Sequence, residues 1–375
     1  MSDTIPISID DPINEKILSV SEDRVQGFTR RPFQVIADES GVELDTVVER
    51  IRAMLEAGVI RRVRQTLVTT SLAPGALVAW CVPEDRLSDA FEWVHENDPF
   101  TGHVVIRTTD TDISGARYRL WTTLKVPVGF SMDAHCQELS KHIGAEAFRL
   151  MPAKKLFALG VGHVRRRKLE PGARDDELGR VIDTDIVPVD DADWPVLMAL
   201  KRELDPEEIT ADPWAGRAEE AGVSVEKFCE TAERLDAKGV IGRFSTFLEH
   251  VKKLQSGERV TKFNALFHWR VPPGKEIDAG REVGRHHIMT HAYWREGGPE
   301  FANVNIMGVA HSTDKELLLG HKEAIDEHLA EAGIDWDYTN VFWGGRSEIK
   351  PSEFSPIRYR QWCGEMGLEP AAMKA

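Results

Sequence analysis

The sequence predicts an α+β protein in which three helices, a wing and a βαββαβ run are laid down twice in tandem. Three observations predict it. First, short blocks recur in the same order in the two halves: Gly58-Val59-Ile60-Arg61-Arg62 returns as Gly239-Val240-Ile241-Gly242-Arg243, and Trp80-Cys81-Val82-Pro83 as Trp269-Arg270-Val271-Pro272. His103-Val104-Val105-Ile106-Arg107 likewise aligns with His291-Ala292-Tyr293-Trp294-Arg295, and an insertion near Val251–Glu258 accounts for the wider spacing of the later blocks. Second, the hydrophobic period switches within each half from helical to alternating. Third, Gly297-Gly298-Pro299 separates two strand-like runs, Ile288–Trp294 and Phe301–Ala310, which therefore read as a β-hairpin.

Taken in order, Asp11–Val20 is amphipathic, Pro32–Ser40 is a short helix ending near Gly41, and Leu44–Leu55 carries Val47, Val48, Ile51 and Leu55 at helical spacing. Residues 58–70 then alternate. The second copy repeats this with Asp191–Glu203, Pro213–Ala221 and Val225–Leu235 before Gly239. Three helices and a wing is the order of a winged helix-turn-helix. Next come a strand (Ala76–Val82; Ala265–Val271), a helix (Glu84–Asn97; Lys275–Gly284), a hairpin, a helix (Ser131–Ile143; Asp314–Ala332) and a final strand (Phe148–Leu156; Asp335–Trp343). This βαββαβ order is ferredoxin-like. The expected domains are winged helices at 1–72 and 188–262 and ferredoxin-like domains at 73–168 and 263–350. The stretch 169–187, rich in Asp, Glu, Gly and Pro, reads as a linker. In the tail, 351–375, Ile357–Trp362 can pack back on the sheet.

With 42% hydrophobic and 29% charged residues in 375, the composition is that of a globular protein of two or three domains. No run of eighteen apolar residues exists, so no membrane span is expected. The N-terminus lacks a signal-peptide pattern, so the expected location is the cytoplasm. Cys81, Cys136, Cys229 and Cys363 lie far apart, which argues against disulfides and cysteine-held metal. A net charge of -15 weighs against nucleic acid as main partner, although Arg61-Arg62-Val63-Arg64 and Arg165-Arg166-Arg167-Lys168 are local basic runs.

The hairpin concentrates unusual chemistry. With a side-chain period of two, His291, Tyr293 and Arg295 share one face, and Asn305 and His311 share a face if no bulge intervenes. A polar, protonatable surface stands where a core would want Val or Ile. Such alternation also describes an ordinary wet sheet face, so the rest of the chain must decide.

A winged helix followed by a ferredoxin-like domain resembles the Lrp/AsnC regulators, so DNA binding is the first reading to test. The recognition helix would carry Asp45, Glu49, Arg50 and Arg52 in one copy and Glu226, Lys227, Glu230, Glu233 and Arg234 in the other. Both sets are balanced or acidic, and carboxylates repel phosphates. A second resemblance fits better. Gly-Val-Ile-Arg-Arg, a strand ending in Val-Pro, His-x-Tyr-x-Arg, and Asn followed six residues later by His resemble the siroheme decarboxylases, the paired AhbA/AhbB and NirD/NirL proteins. The resemblance covers nearly the whole chain and implies two subunits fused into one. Glu300-Phe301-Ala302-Asn303 replaces the family's usual Trp-Pro-Tyr, and in the first copy Arg119 and Lys125 lie near the positions of the Asn and the second His.

The resemblance implies a carbon–carbon lyase that removes carboxyl groups from the acetate side chains of siroheme. The product is 12,18-didecarboxysiroheme, on the alternative heme and heme d1 routes, and no cofactor is added, since iron enters within the tetrapyrrole. A flat apolar ring with a carboxylate rim needs an apolar cleft bordered by cations. Arg107, Arg119, Lys125 and Arg295 suit that anchoring role, guanidinium groups because they hold carboxylates bidentately. Loss of carbon dioxide leaves a carbon to be protonated, and histidine is a suitable donor near neutral pH. His291 and His311 are the expected acid or orienting pair, His103 is their counterpart in the first copy, and Tyr293 and Asn305 contact the substrate.

Each residue also has a plainer reading. The histidines can be satisfied within the sheet, and His286 and His287 are loop residues or approach the ring. Arg61, Arg62, Arg64 and Arg243 are exposed wing charges, remnants of phosphate contacts, or carboxylate anchors between winged helix and sheet. His286, His287, His291 and His311 lack any regular ligand spacing, so no independent metal site is expected; an axial histidine to the substrate iron stays open. The expected partner is siroheme or a related carboxylated tetrapyrrole, bound by a pseudo-dimer within the chain that can itself oligomerise. The alternatives are a heme- or ligand-sensing transcriptional regulator of Lrp/AsnC type and a non-catalytic tetrapyrrole carrier.

Overall fold

The structure is a computed structural model that describes residues 5–22, 24–159, 169–248 and 262–375; the basic run 165–168 and the insertion at 251–258 lie outside the described residues. The first half runs α1 (Pro12–Ser21), α2 (Pro32–Ser40), α3 (Leu44–Glu56), β1 (Ile60–Leu67), β2 (Gly75–Cys81), α4 (Leu87–Asn97), β3 (Thr101–Thr108), β4 (Leu120–Lys125), α5 (Met132–Ile143) and β5 (Ala147–Leu159). The second runs α6 (Trp194–Lys201), α7 (Trp214–Glu220), α8 (Val225–Ala237), β6 (Ile241–Leu248), β7 (Phe263–Arg270), α9 (Glu276–Gly284), β8 (Met289–Arg295), β9 (Ile306–Ser312), α10 (Lys315–Glu331), β10 (Tyr338–Ile349) and α11 (Pro356–Glu365). Several helices begin where a side chain accepts from an orphan backbone N–H: Asp11 before α1, Ser131 before α5, Ser224 before α8 and Asp314 before α10.

These elements sort by type and not by copy. One compact unit combines Met1–Leu72 with Val187–Lys252, and the other combines Ala73–Ile186 with Lys253–Ala375.

In the first unit β1 and β6 pair antiparallel, Val63 opposite Thr246 and Gln65 opposite Phe244, so the two wings form one ladder. Phe33, Ile36, Val47, Ile51 and Met54 on one side and Trp214, Phe228, Leu235 and Phe244 on the other are fully or almost fully buried. The cations of the third helices are bonded within the unit. Arg52 donates to the carbonyls of Pro206 and Ile209, and Arg50 reaches Asp11. On α8, Glu226 and Glu233 together hold Arg30, while Arg234 holds Asp193. Of the wing arginines, Arg62 pairs with Glu203 and Arg64 lies 5.4 Å from the Phe247 ring centre.

In the second unit the strands close an antiparallel barrel in the order β10-β3-β4-β2-β5-β8-β9-β7. Each half contributes four neighbouring strands, β3-β4-β2-β5 and β8-β9-β7-β10. The two expected sheet regions are joined into one barrel by the length of the fourth strands. β5 pairs with β2 through Pro152 and then with β8 from Ala153 to Leu159, and β10 pairs with β7 through Gly344 and then with β3 as far as Ile349. Both strands outrun their expected ends at Leu156 and Trp343. The β10 extension carries Gly344, Gly345 and Arg346, so no apolar alternation announces it, whereas β5 runs on only through Phe157, Ala158 and Leu159.

Three apolar clusters hold this unit together. Trp80, Phe91, Leu120, Leu139 and Trp362 pack one half against α4, α5 and α11, and Phe267, Trp269, Val283, Ile325 and Leu329 pack the other against α9 and α10. Ala79, Trp121, Met151, Leu266, Phe301, Met307 and Phe342 form the third, on the opposite strand faces, inside the barrel. The tail is part of the first cluster through Tyr359, Trp362, Cys363 and Met373. The expected linker is docked, not free: Ile182 exchanges backbone hydrogen bonds with Leu156, and the N–H of Gly179 donates to the Arg281 carbonyl. On α9, a Cβ on Gly280 would overlap the ring of buried Phe157, and one on Gly284 would meet the Phe157 carbonyl. Gly280→Ala is therefore expected to destabilise the protein by about 1–3 kcal/mol, read as a lower urea midpoint at unchanged m; an unchanged midpoint would show that the ring has room to yield.

Candidate active site

The polar end of the barrel interior is built on strand alternation. On β7, Ala265, Phe267 and Trp269 join the helix-side core, which sends Asn264, Leu266 and His268 inward. On β9 the same rule sends Met307, Val309 and His311 inward; on β3 it sends His103, Val105 and Arg107. On β8 the register slips between Met289 and His291. That bulge places Thr290 beside both rings, its hydroxyl 3.3 Å from His291 Nδ1 and 3.3 Å from His311 Nδ1.

A row of residues crosses four strands: Arg107 on β3 lies opposite Gly344 on β10, Gly344 opposite Asn264 on β7, and Asn264 opposite His311 on β9. Arg107 Nη1 donates to Asn264 Oδ1 at 3.2 Å, and Asn264 Nδ2 lies 3.1 Å from His311 Nε2. Along β8, the His291 ring is parallel to that of Tyr293, with centroids 5.9 Å apart, and the Arg295 guanidinium lies 4.5 Å from the Tyr293 ring centre. Arg295 Nη1 donates to the Met151 carbonyl at 2.5 Å. His103 Nε2 is 2.8 Å from the Ser347 hydroxyl.

The electrostatics of this interior are one-sided. Arg107 is 4% exposed and Arg295 7%, the Nε of each has no hydrogen-bond partner, and among the described residues neither has a carboxylate within ion-pair distance. Burial pulls the Arg107 pKa down to about 9 and lowers that of Arg295. Arg107 stays protonated at neutral pH, as a guanidinium in a protein does. Burial, with the nearby Arg107 and His291 charges, brings His103 to about 4. Burial also raises the Tyr293 phenol. Unpaired buried cations cost several kcal/mol, a cost that an added anion would offset.

The structure thus brings together His291, His311, His103, Tyr293, Arg107 and Arg295. It does not bring Asn305 with them. Asn305 exchanges two 2.9 Å hydrogen bonds with the Val271 backbone and reaches Glu276 at the start of α9, so it acts as a strand bridge. Arg119 is paired with Glu84, and its Nε donates to the Arg107 carbonyl. Lys125, half-buried, stands at the end of β4 opposite Gly75. The histidines considered for a metal divide: His286 Nε2 meets His328 Nδ1 at 2.7 Å and His287 meets Asp175, both apart from the His291–His311 pair. Two interior residues escaped the sequence reading, Asn264 and His268. His268 is wholly buried among Trp121, Phe301 and Phe342, and neither ring nitrogen has a hydrogen-bond partner. The alternation of Asn264, Leu266 and His268 against Ala265, Phe267 and Trp269 was the available signal.

Residues 28–61 match the siroheme decarboxylase NirDL-like HTH domain, and residues 73–158 match the AsnC-like ligand binding domain. The siroheme decarboxylase of Hydrogenobacter thermophilus is 22% identical over 318 residues, covering 84% of this chain and 88% of that one. The siroheme decarboxylase beta subunit of Desulfovibrio desulfuricans is 33% identical over 113 residues, 30% of this chain and 67% of that subunit. The crystal structure of the siroheme decarboxylase NirDL superposes with a TM-score of 0.69 at 18% identity, covering 94% of this chain and 98% of that one. NirDL in complex with an iron-uroporphyrin III analogue gives 0.68 at 17%, over 94% and 99%. The chain belongs to the siroheme decarboxylase family.

Two outcomes follow from the buried charges. Arg107→Met removes an uncompensated cation and is expected to stabilise the protein by about 1–3 kcal/mol in thermal melts, while weakening binding of an iron-uroporphyrin at least about tenfold; a lower melting temperature would contradict the unpaired charge. Burial also holds His268 and His286 near about 3. In the unfolded chain they take up protons below about 6.5. Stability should therefore fall as pH drops from about 6.5 through 4, and the urea midpoint of His268→Leu should depend less steeply on pH over that range than the wild type's.

Proposed function

We propose that this protein is a siroheme decarboxylase, a carboxy-lyase that converts siroheme to 12,18-didecarboxysiroheme. The observation that carries the reading is the pair of buried guanidinium groups, Arg107 and Arg295, without a carboxylate partner among the described residues, in an interior lined by apolar side chains and imidazoles. A tetrapyrrole with a rim of carboxylates supplies the missing anions and a flat apolar body. No membrane partner is invoked; no described helix is long and apolar enough to cross a bilayer.

The residues divide the work by their chemistry. An arginine stabilises the ionised carboxylate and so opposes its loss, which suits Arg107 and Arg295 to the carboxylates that stay and not to those that leave. The reacting acetate then lies against less polar neighbours such as Tyr293, where its charge is poorly solvated. For each acetate, the bond between the methylene carbon and the carboxyl carbon breaks, carbon dioxide departs, and the electron pair remains on the methylene carbon next to the ring. His291, its Nδ1 edge turned to Thr290, gives the proton from Nε2 that completes a methyl group, and solvent restores it. No added cofactor enters this balance; the iron is part of the substrate.

The same reading takes the chain as a fused pseudo-dimer of two ferredoxin-like units. The matching strand orders of the two halves and the exchange of β5 and β10 support it. Operator binding is disfavoured, because the cations of α3 and α8 already have partners inside their own unit. Anaerobic incubation with siroheme should yield a product lighter by two carbon dioxide molecules. A shifted absorption spectrum without mass loss would make the protein a carrier or sensor instead. His291→Ala should reduce turnover by about 10²–10⁴-fold with binding retained, and unchanged turnover would remove His291 from the mechanism.

A further inference from the structure

Asn264 lies between the anchor Arg107 and His311, and nothing so far gives it a task. Its amide orientation is dictated by its neighbours. A guanidinium only donates, so the atom facing Arg107 Nη1 at 3.2 Å must be the carbonyl oxygen, and the amide NH2 is turned to His311 Nε2 at 3.1 Å. An amide NH2 also only donates. His311 Nε2 must therefore accept, as a bare nitrogen.

The other edge of the ring gives the same answer independently. The Thr290 hydroxyl donates to the Val309 carbonyl at 2.8 Å, so its single hydrogen is already in use. Toward His311 Nδ1, 3.3 Å away, Thr290 can only accept. Nδ1 must carry the hydrogen. The bond to Arg107 reaches across an intervening strand because β10 presents Gly344 at that point, and a Cβ there would come within 3.1 Å of Asn264 Cβ.

We propose that Asn264 is a positioning residue that holds His311 as the neutral Nδ1–H imidazole and couples that state to the anchor Arg107. His311 is then not the proton donor. It is a fixed neutral partner that, through the shared Thr290 hydroxyl, orients His291. Among the described residues, the groups facing His311 include Asn264 and, through it, Arg107 on one side, and Thr290 and, beyond it, His291 on the other. This refinement rests on the decarboxylase reading for its purpose but not for its test.

The test reads the ring directly. In full-length protein with ¹⁵N-labelled histidine, assigned by comparison with His311→Gln, the His311 shifts should show a bare Nε2 and a protonated Nδ1 from pH 6 to 8, with no substrate present. Asn264→Asp puts a carboxylate between the two cation-capable groups, and should move the His311 titration upward by at least one pH unit and protonate Nε2. Asn264→Ser, which keeps a small polar group, should leave the fold intact, judged by its melting curve, and let the two tautomers mix. A wild-type His311 protonated on Nε2, or a titration unmoved in Asn264→Asp, would overturn the proposal whether or not the enzyme decarboxylates. Conversely, the expected shifts in a protein inert toward siroheme would leave the positioning role standing and remove only the functional reading.

Discussion

The buried, unpaired guanidinium groups of Arg107 and Arg295 are the constraint on which the rest of the barrel depends. A cation in a protein interior normally brings its own counter-ion, and elsewhere in this chain it does: buried Arg217 has Glu208 and Glu220, and buried Lys322 has Asp326. The chain holds 62 acidic residues against 47 basic ones, yet none of the described carboxylates meets either guanidinium. Keeping acids out of this one place, in an acidic protein, leaves a binding energy that only an incoming anion can recover. The three apolar clusters of the unit offset the cost in the empty protein.

Barrel closure makes such a charge tenable. Because β5 and β10 each pair with strands of both halves, Arg107 from one half meets Asn264 from the other across the β3–β10 seam, and Arg295 meets the Met151 carbonyl across the β5–β8 seam. The side-chain hydrogen bonds of both guanidinium groups are thus made between halves. The bulge at Thr290 and the missing side chain at Gly344 are the two local departures from regular sheet that let polar groups on different strands touch. Both sit where the functional reading places the chemistry, and a regular β8 without the bulge would turn Thr290 away from the histidines.

Much of this was legible in the sequence, for physical reasons that can be named. Helices α2, α3 and α8 were legible because their apolar period is strong and Gly41 or Ser224 marks an end. His291, Tyr293 and Arg295 were legible as one face because strand alternation is strict. Asn305 was misjudged because alternation says which face a residue is on and not what it bonds to; at the entry to β9 its amide is used by the Val271 backbone. Arg119 had the right charge, but Glu84 lies far from it in sequence and neutralises it in space. Asn264 passed unnoticed because the expected strand began at Ala265, one residue after it, and so left Asn264 out of the alternation. The extension of β10 was missed since Gly344-Gly345-Arg346 carries no hydrophobic period, and that of β5 because a short apolar run, Phe157-Ala158-Leu159, does not say which strand it pairs with.

The central claim is that substrate carboxylates complete the buried charges, and comparing siroheme with its fully methyl-esterified form tests it without altering the protein. The two rings share the same iron and nearly the same apolar area, and differ in the charges that Arg107 and Arg295 would hold. If the claim is right, the ester should bind the wild-type protein at least about 100-fold more weakly, the equivalent of about 2.7 kcal/mol, with most of the loss in faster dissociation. Equal affinity for acid and ester would contradict it, because the ring would then be held by its apolar body alone.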